Sequence, residues 1–320
     1  PLPLDCEIEE GDDAHEAACG GQGGLGYGDG DGAASPSRIT HHASRITYHA
    51  LRSTHCALRN TESSARTVTA ALDADETQAL LHDVPAAYHT EVNDALLTAL
   101  AQTLSGWTGA RATVINLEGH GREGILEGVD ISRTAGWFTA IFPVRLELPR
   151  RDDPGATLKA VKEQLRRVPQ HGIGYGLLRY LCEAGEAREL LAALPQPELS
   201  FNYLGQWQEG LQGGAFAAAA EARGPERHPE GWRTHLIEVD GSVAGGCLQL
   251  QWTYSKHLHR RATIEGLAQR YLEALRGLIA HCRTAEAGGH TPSDFPLAHL
   301  DQARLDKVLA RTTKSLSEKS

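Results

Sequence analysis

Glu118 is the residue on which chemistry could be built. It ends a run in which Ala112, Val114, Asn116 and Glu118 alternate with Thr113, Ile115 and Leu117, the period of a strand with two unlike faces. Gly119 and Gly121 follow at once. Residues without a Cβ let the backbone leave a sheet sharply and let another group come close to it. A carboxylate at such an exit faces a cleft, and burial between apolar flanks would raise its pKa toward the range useful for proton transfer. The ordinary alternative is a solvated Glu at a strand end. His120, Arg122, Glu123, Asp130 and Arg133 lie just beyond. They read as structural: a hydrogen-bonding turn His, a local Arg122–Glu123 pair, and an Asp130–Arg133 pair fixing the loop.

These residues need elements to hold them. Arg66 to Leu72 reads as a strand and Asp75 to His82 as a short helix. Thr90 is placed to cap a helix whose Val92, Leu96, Leu100, Leu104 and Trp107 form one apolar stripe, with Asn93 and Asp94 facing solvent. A strand over Trp137 to Leu148 contains Pro143, which cannot donate to a ladder and points to a sheet edge or bulge. Thr157 to Arg167 predicts a helix with Leu158, Val161 and Leu165 inward and Lys159, Lys162, Arg166 and Arg167 outward. In Leu199 to Leu204, Phe201 and Tyr203 share a strand face opposite Asn202. His235 to Val239 and Leu248 to Tyr254 form a hairpin across Gly241 to Gly246. Ile264 to Cys282 is an amphipathic helix, and Leu297 to Leu309 a short helical exit. Strands and helices mixed without a regular βαβ repeat give an α/β sandwich, helices on a mixed sheet.

Composition narrows the function classes. Residues 1–37 hold nine acidic residues and no Lys or Arg, so the net charge of −10 lies almost wholly there, and the remainder is near neutral with 32 acids against 31 bases. Such a body has no basic footprint for nucleic acid. The six cysteines show no short ligand spacing, so no metal site is expected; Cys182, Cys247 and Cys282 sit in apolar contexts and read as buried thiols. No signal peptide and no apolar run near 20 residues occur, which implies a cytoplasmic location without membrane contact. Residues 11–32 contain nine Gly and read as disordered, and Gly24, Gly26 and Gly28 lack the strand and Lys-Ser/Thr of a phosphate loop. From Ser37 the chain repeats every seven residues (SRITHHA, SRITYHA, LRSTHCA) without an a/d seam. His41, His42, His49 and His55 within it read as incidental. Gly172, Gly174 and Gly176 follow a helix and a Pro, so they are close-packing glycines at a helix start and not a dinucleotide fingerprint.

Taken in order, EGHGRE followed by DISRTAGWFTAIFPV, then PQHGIGYGLLRYL and FNYLGQ resemble consecutive motifs of the epimerisation domains of non-ribosomal peptide synthetases, members of the condensation-domain superfamily, and TPSDFPL resembles the segment that leaves such domains. The likeness runs from Thr61 to Leu305. It divides the chain into a Gly-rich, repeat-containing segment 1–60, the family-like region 61–305, and a tail 306–320; PLPLD resembles what precedes Thr61 in the family, so 6–60 reads as an insertion. The superfamily's HHxxxDG does not occur: His41-His42 is followed by no Asp or Gly in register. The sequence therefore reads as the C-terminal half of such a domain, about one lobe of a chloramphenicol-acetyltransferase-like fold, inactive by itself.

The resemblance implies exchange of the Cα proton of an aminoacyl or peptidyl thioester, with Glu118 as one acid/base group and the absent His as the other. Tyr203 and Asn202 would take supporting roles beside the enolate. No cofactor is bound directly; the substrate hangs on the 4'-phosphopantetheine of a carrier domain. Partners implied are a peptidyl carrier protein domain, the N-terminal lobe and neighbouring synthetase domains. The basic face of the Thr157 to Arg167 helix reads as simply solvated, with contact to an acidic carrier domain as the alternative. Two other readings of the whole stay open: a condensation domain forming peptide bonds, and a non-catalytic remnant that only packs against or docks a carrier domain.

Overall fold

The computed structural model describes residues 1–5, 59–149, 153–183, 185–206, 224 and 227–317. The Gly-rich stretch, the period-seven repeat with its four His, Cys6, Cys19 and Cys56, and the Ala-rich run from 213 to 222 lie outside them.

Among the described residues six strands make one mixed sheet: β1 (Ala65–Ala71), β2 (Ala112–Gly119), β3 (Ala140–Glu147), β4 (Leu199–Gln206), β5 (Ile237–Ala244) and β6 (Cys247–Ser255). Their order is β1-β6-β5-β4-β2-β3. β4 runs parallel to both β2 and β5, and the other pairs are antiparallel. β3, with Pro143, is indeed an edge. Gly241 lies inside β5; the hairpin turns at Gly245 and Gly246, both at positive φ. The turn therefore uses two left-handed glycines and both strands run longer than the sequence reading.

The two sheet faces differ. Ile115, Phe142, Val144, Leu146, Phe201, Ile237, Val239, Leu250 and Trp252 are buried on one face, against helices α1 (Ala74–Tyr88), α2 (Val92–Thr108), α3 (Pro154–Arg166) and, after the short α4 (Glu186–Ala193), the long α5 (Arg261–Cys282). Each such Leu or Ile removes enough apolar surface from water to contribute about 1.5–3 kcal/mol. A last helix, α6, spans Gln302–Ser317 and crosses the boundary drawn at 305/306. Residues 1–5 pack on this body, with Leu2 buried and the Asp5 N–H donating to Leu258 O at 3.0 Å.

Several local expectations change. α1 is nearly twice the expected length: Asp73 caps it through the Glu76 N–H (2.8 Å), and it continues through Pro85 because Val84 and Tyr88 are buried in the core. α2 starts after Glu91, whose N–H donates to Asp94 Oδ2 at 2.7 Å, while the Thr90 hydroxyl turns back to Val84 O. Asp94 is buried, in a two-point contact with Arg166 (2.9 and 3.2 Å). Lys162, expected in solvent, is 1% exposed and donates to Asp294 (2.5 Å) and to Tyr88 O (3.0 Å). A charge on an apparently polar helix stripe is thus drawn inward by a partner far away in sequence. Cys282 is buried and its thiol is pushed up to about 11 by burial and then by Asp83. Cys247 is half-buried, and Cys182, after the exposed turn Leu177–Leu181, is exposed.

Candidate functional site

The face of the sheet turned away from the helices, open among the described residues, carries the site. Alternation along β2 turns Ile115 and Leu117 toward the helices and Asn116 and Glu118 away from them. Asn116 stands opposite Ser200 on β4, so Glu118 is level with Asn202, and the Asn202 Nδ2 donates to Glu118 Oε2 at 3.1 Å. Asn202 in turn is opposite Asp240 on β5, with Glu238 two residues earlier on the same face. Glu118 is half-buried. Burial raises its pKa above the ordinary carboxyl range, the charges of Asp240 and then Glu238 raise it further, and Arg227 opposes them. Asp240 is raised by burial and by Glu238.

Below this row lies a polar floor. His235 is buried, and its Nε2 is 2.8 Å from Asn116 Nδ2. Burial lowers its pKa, so the ring is neutral at neutral pH, and it shares a hydrogen bond with the Asn116 amide. Asn60 donates to the carbonyls of Arg233 (3.1 Å) and His235 (2.8 Å), and Arg233 bonds Asn60 Oδ1 (3.2 Å) and pairs with Glu238 at 3.2 Å. Asn116, His235, Glu238 and Asp240 are not among the site residues expected from the sequence. The signal was present: Glu238, Asp240 and Ser242 alternate with Ile237, Val239, Gly241 and Val243, a half-polar strand beside the FNYLG strand.

Tyr203 is not brought to Glu118. A Cβ built on Gly241 would lie 3.5 Å from Tyr203 Cδ2 and 3.2 Å from Leu250 Cδ2. Leu250 is fully buried on the helix side, so Tyr203 shares that side with Phe201, and burial raises its phenol. The structure joins Glu118 to Asn202 across one strand boundary and sets Tyr203 on the other face of the same strand.

The segment after β2 is held differently from the expected local ion pairs. Arg122 donates to Ile131 O (2.7 Å) and Gly136 O (3.3 Å) and lies over the Phe138 ring at 4.3 Å. Glu123 instead meets His171 Nδ1 (2.8 Å) and His120 Nε2 (3.4 Å). Asp130 accepts from the Ser132 N–H at 2.9 Å rather than from Arg133. Gly121 has a positive φ, and a Cβ there would fall 1.6 Å from Phe138 O, so the second glycine of EGHG is required by the return of the chain. Trp137, expected at the start of the Trp137 to Leu148 strand, precedes β3 and is 91% exposed. Among the described residues no cluster has metal-ligand character, and no helix is long and apolar enough to cross a membrane.

Known proteins are similar to this chain in sequence and in fold. A family model described as the condensation domain matches residues 41–300. A component protein of the linear gramicidin synthase of Brevibacillus parabrevis is 51% identical over 249 residues, covering 78% of this chain and 3% of that protein. Chondramide synthase cmdD from Chondromyces crocatus is 49% identical over 247 residues, 77% of this chain and 6% of its own length. The chain thus spans a small fraction of the curated relatives it matches. Among solved structures, the epimerization domain from the third module of tyrocidine synthetase B superposes with a TM-score of 0.65 at 40% identity, over 70% of this chain and 50% of that one. A four-domain nonribosomal peptide synthetase bound to AMP and glycine shares the fold, with a TM-score of 0.50 at 16% identity over 70% of this chain and 17% of that one.

Proposed function

The chain belongs to the condensation-domain family, and from that premise we propose that its open face is the Glu118 half of an epimerisation centre acting on an aminoacyl or peptidyl thioester. The observation that carries the reading is a half-buried carboxyl at a strand exit, with its pKa raised and one oxygen held by the Asn202 amide.

A thioester acidifies the adjacent Cα–H. In its ionised form Glu118 accepts that proton while the electron pair moves onto the thioester oxygen as an enolate, and a donor on the opposite face returns a proton to Cα. Run in reverse, a protonated Glu118 is the donor. A carboxyl that must serve both ways works best when its pKa is lifted toward the working pH. Asn202 fixes which oxygen is free to reach substrate. Tyr203, on the helix side, packs the strand that carries Asn202 and supports the site from behind. The substrate arrives on the phosphopantetheine arm of a peptidyl carrier domain, and neighbouring synthetase domains supply and receive it. The opposite-face group corresponds to the HHxxxDG His, a motif the 320-residue sequence does not contain.

The test pairs this chain with an HHxxxDG-bearing half and supplies an L-aminoacyl carrier protein in deuterated water. Glu118→Gln is expected to lower deuterium entry at Cα by roughly 100- to 10,000-fold with the circular dichroism spectrum unchanged. Wild-type exchange in that variant would overturn the assignment. Peptide-bond formation with an acceptor aminoacyl carrier, without Cα exchange, would replace the reading by condensation.

A further inference from the structure

A second carboxyl occupies the open face in a place that mirrors Glu118. β2, β4 and β5 are parallel neighbours, with Asn116 opposite Ser200 and Asn202 opposite Asp240, so Glu118, Asn202 and Asp240 form one row across three strands. Strands lie about 4.8 Å apart, which sets the two carboxyl-bearing positions roughly 10 Å from each other with the amide between them. We propose that Asp240 is a positioning residue for Glu118, acting through its charge across Asn202 and not by touching substrate. The inference rests on the reading of Glu118 as the proton-transfer group.

The other charges around the row single out Asp240. Glu238 is the nearest competitor, but it pairs with Arg233 at 3.2 Å. Arg227, the cation that opposes the acids at Glu118, pairs with Glu62 at 3.0 Å. His235 is neutral and turned to Asn116. From β3, Glu118 is faced by Ile141, and from β6, Asp240 is faced by Gln251, both uncharged. Among the described residues Asp240 has no ion-pair partner, so its charge reaches Glu118 least cancelled. At this separation in a half-buried setting such a charge acts more strongly than in water, because less solvent intervenes. The effect is to let Glu118 keep its proton at a pH where an isolated carboxyl has lost it, while Asn202 holds one oxygen in place.

The experiment is a carboxyl 13C NMR titration of the purified full chain, with the Glu118 signal identified by its loss in Glu118→Gln. It needs no turnover, so it tests this inference independently of the catalytic reading. Asp240→Asn is expected to move the Glu118 midpoint to lower pH, Asp240→Glu to retain the wild-type midpoint, and Glu238→Gln to give a smaller move than Asp240→Asn. If Asp240→Asn does not fold, Asp240→Ser removes the same charge. The pH profile of Cα exchange, measured with the HHxxxDG-bearing half, should shift in the same direction. A Glu118 midpoint unmoved by loss of the Asp240 charge in a folded variant would overturn the proposal, as would a larger shift from Glu238→Gln.

Discussion

Two regions of this molecule bury carboxylates, and they differ in the partners they give them. Between α2, α3 and the exit segment, Asp94 meets Arg166 and Asp294 meets Lys162. On the open sheet face, Glu118 and Asp240 flank an amide, and among the described residues neither has an ion-pair partner. In the first region burial works against the ionised form of Asp294 but is outweighed by hydrogen bonds from Lys162 and the Thr291 N–H, so its pKa stays below the ordinary range, whereas at Asp94 burial outweighs the Glu91 N–H and Arg166 and the pKa rises. In the second, burial and like charge act together and the pKa rises. A paired buried carboxylate fastens elements together; an unpaired one is kept at a cost to stability and is available for proton transfer.

The largest effect is expected on the paired side. Lys162→Met leaves Asp294 without its cation and should destabilise the fold by about 3 kcal/mol, read as a lower urea midpoint. A midpoint equal to wild type would show that the contact does not fasten α3 to the exit segment, and the contrast between the two regions would fail.

On the other side the sign reverses. The folded chain holds the Glu118 proton more tightly than the unfolded chain, so the unfolded state binds fewer protons, and stability falls as pH rises from the ordinary carboxyl value through the raised one. Glu118→Gln, which can still accept from Asn202, should therefore melt above wild type at neutral pH, with the difference closing at about pH 4 and below. Equal melting temperatures at neutral pH would mean that the site exacts no such cost. The smallest effect belongs to the exposed Arg145–Glu147 pair: Arg145→Ala should change stability by less than about 0.5 kcal/mol, and a larger loss would blur the contrast between surface and buried pairs.

Much of the site could be read from order along the chain. The alternation ending at Glu118, the Gly pair after it and the strand of FNYLG are local patterns, and local patterns survive folding because period and turn chemistry are set by neighbouring residues. The same holds for the apolar stripe of α2, the α5 helix and the edge position of Pro143. The inward positions of Lys162 and Asp94 are not legible in the sequence, because helical spacing reports a residue's angular position on its own helix and carries no information about a partner 132 residues away, as Asp294 is from Lys162.

What the sequence determined by itself was the identity of the strand that carries the carboxyl and the turn that frees it. Tertiary structure alone decided what stands beside that carboxyl. Strand order placed β4 next to β2 and β5 next to β4, although 79 residues separate the end of β2 from the start of β4. The parallel register then set Asn202 against Glu118, Asp240 beyond Asn202, and Tyr203 behind the sheet. A one-residue slip in that register would exchange the faces of β4 and bring the phenol forward in place of the amide. Register is fixed by burial of Phe201, Val239 and Trp252 against the helices, a long-range packing condition that no stretch of the chain expresses alone.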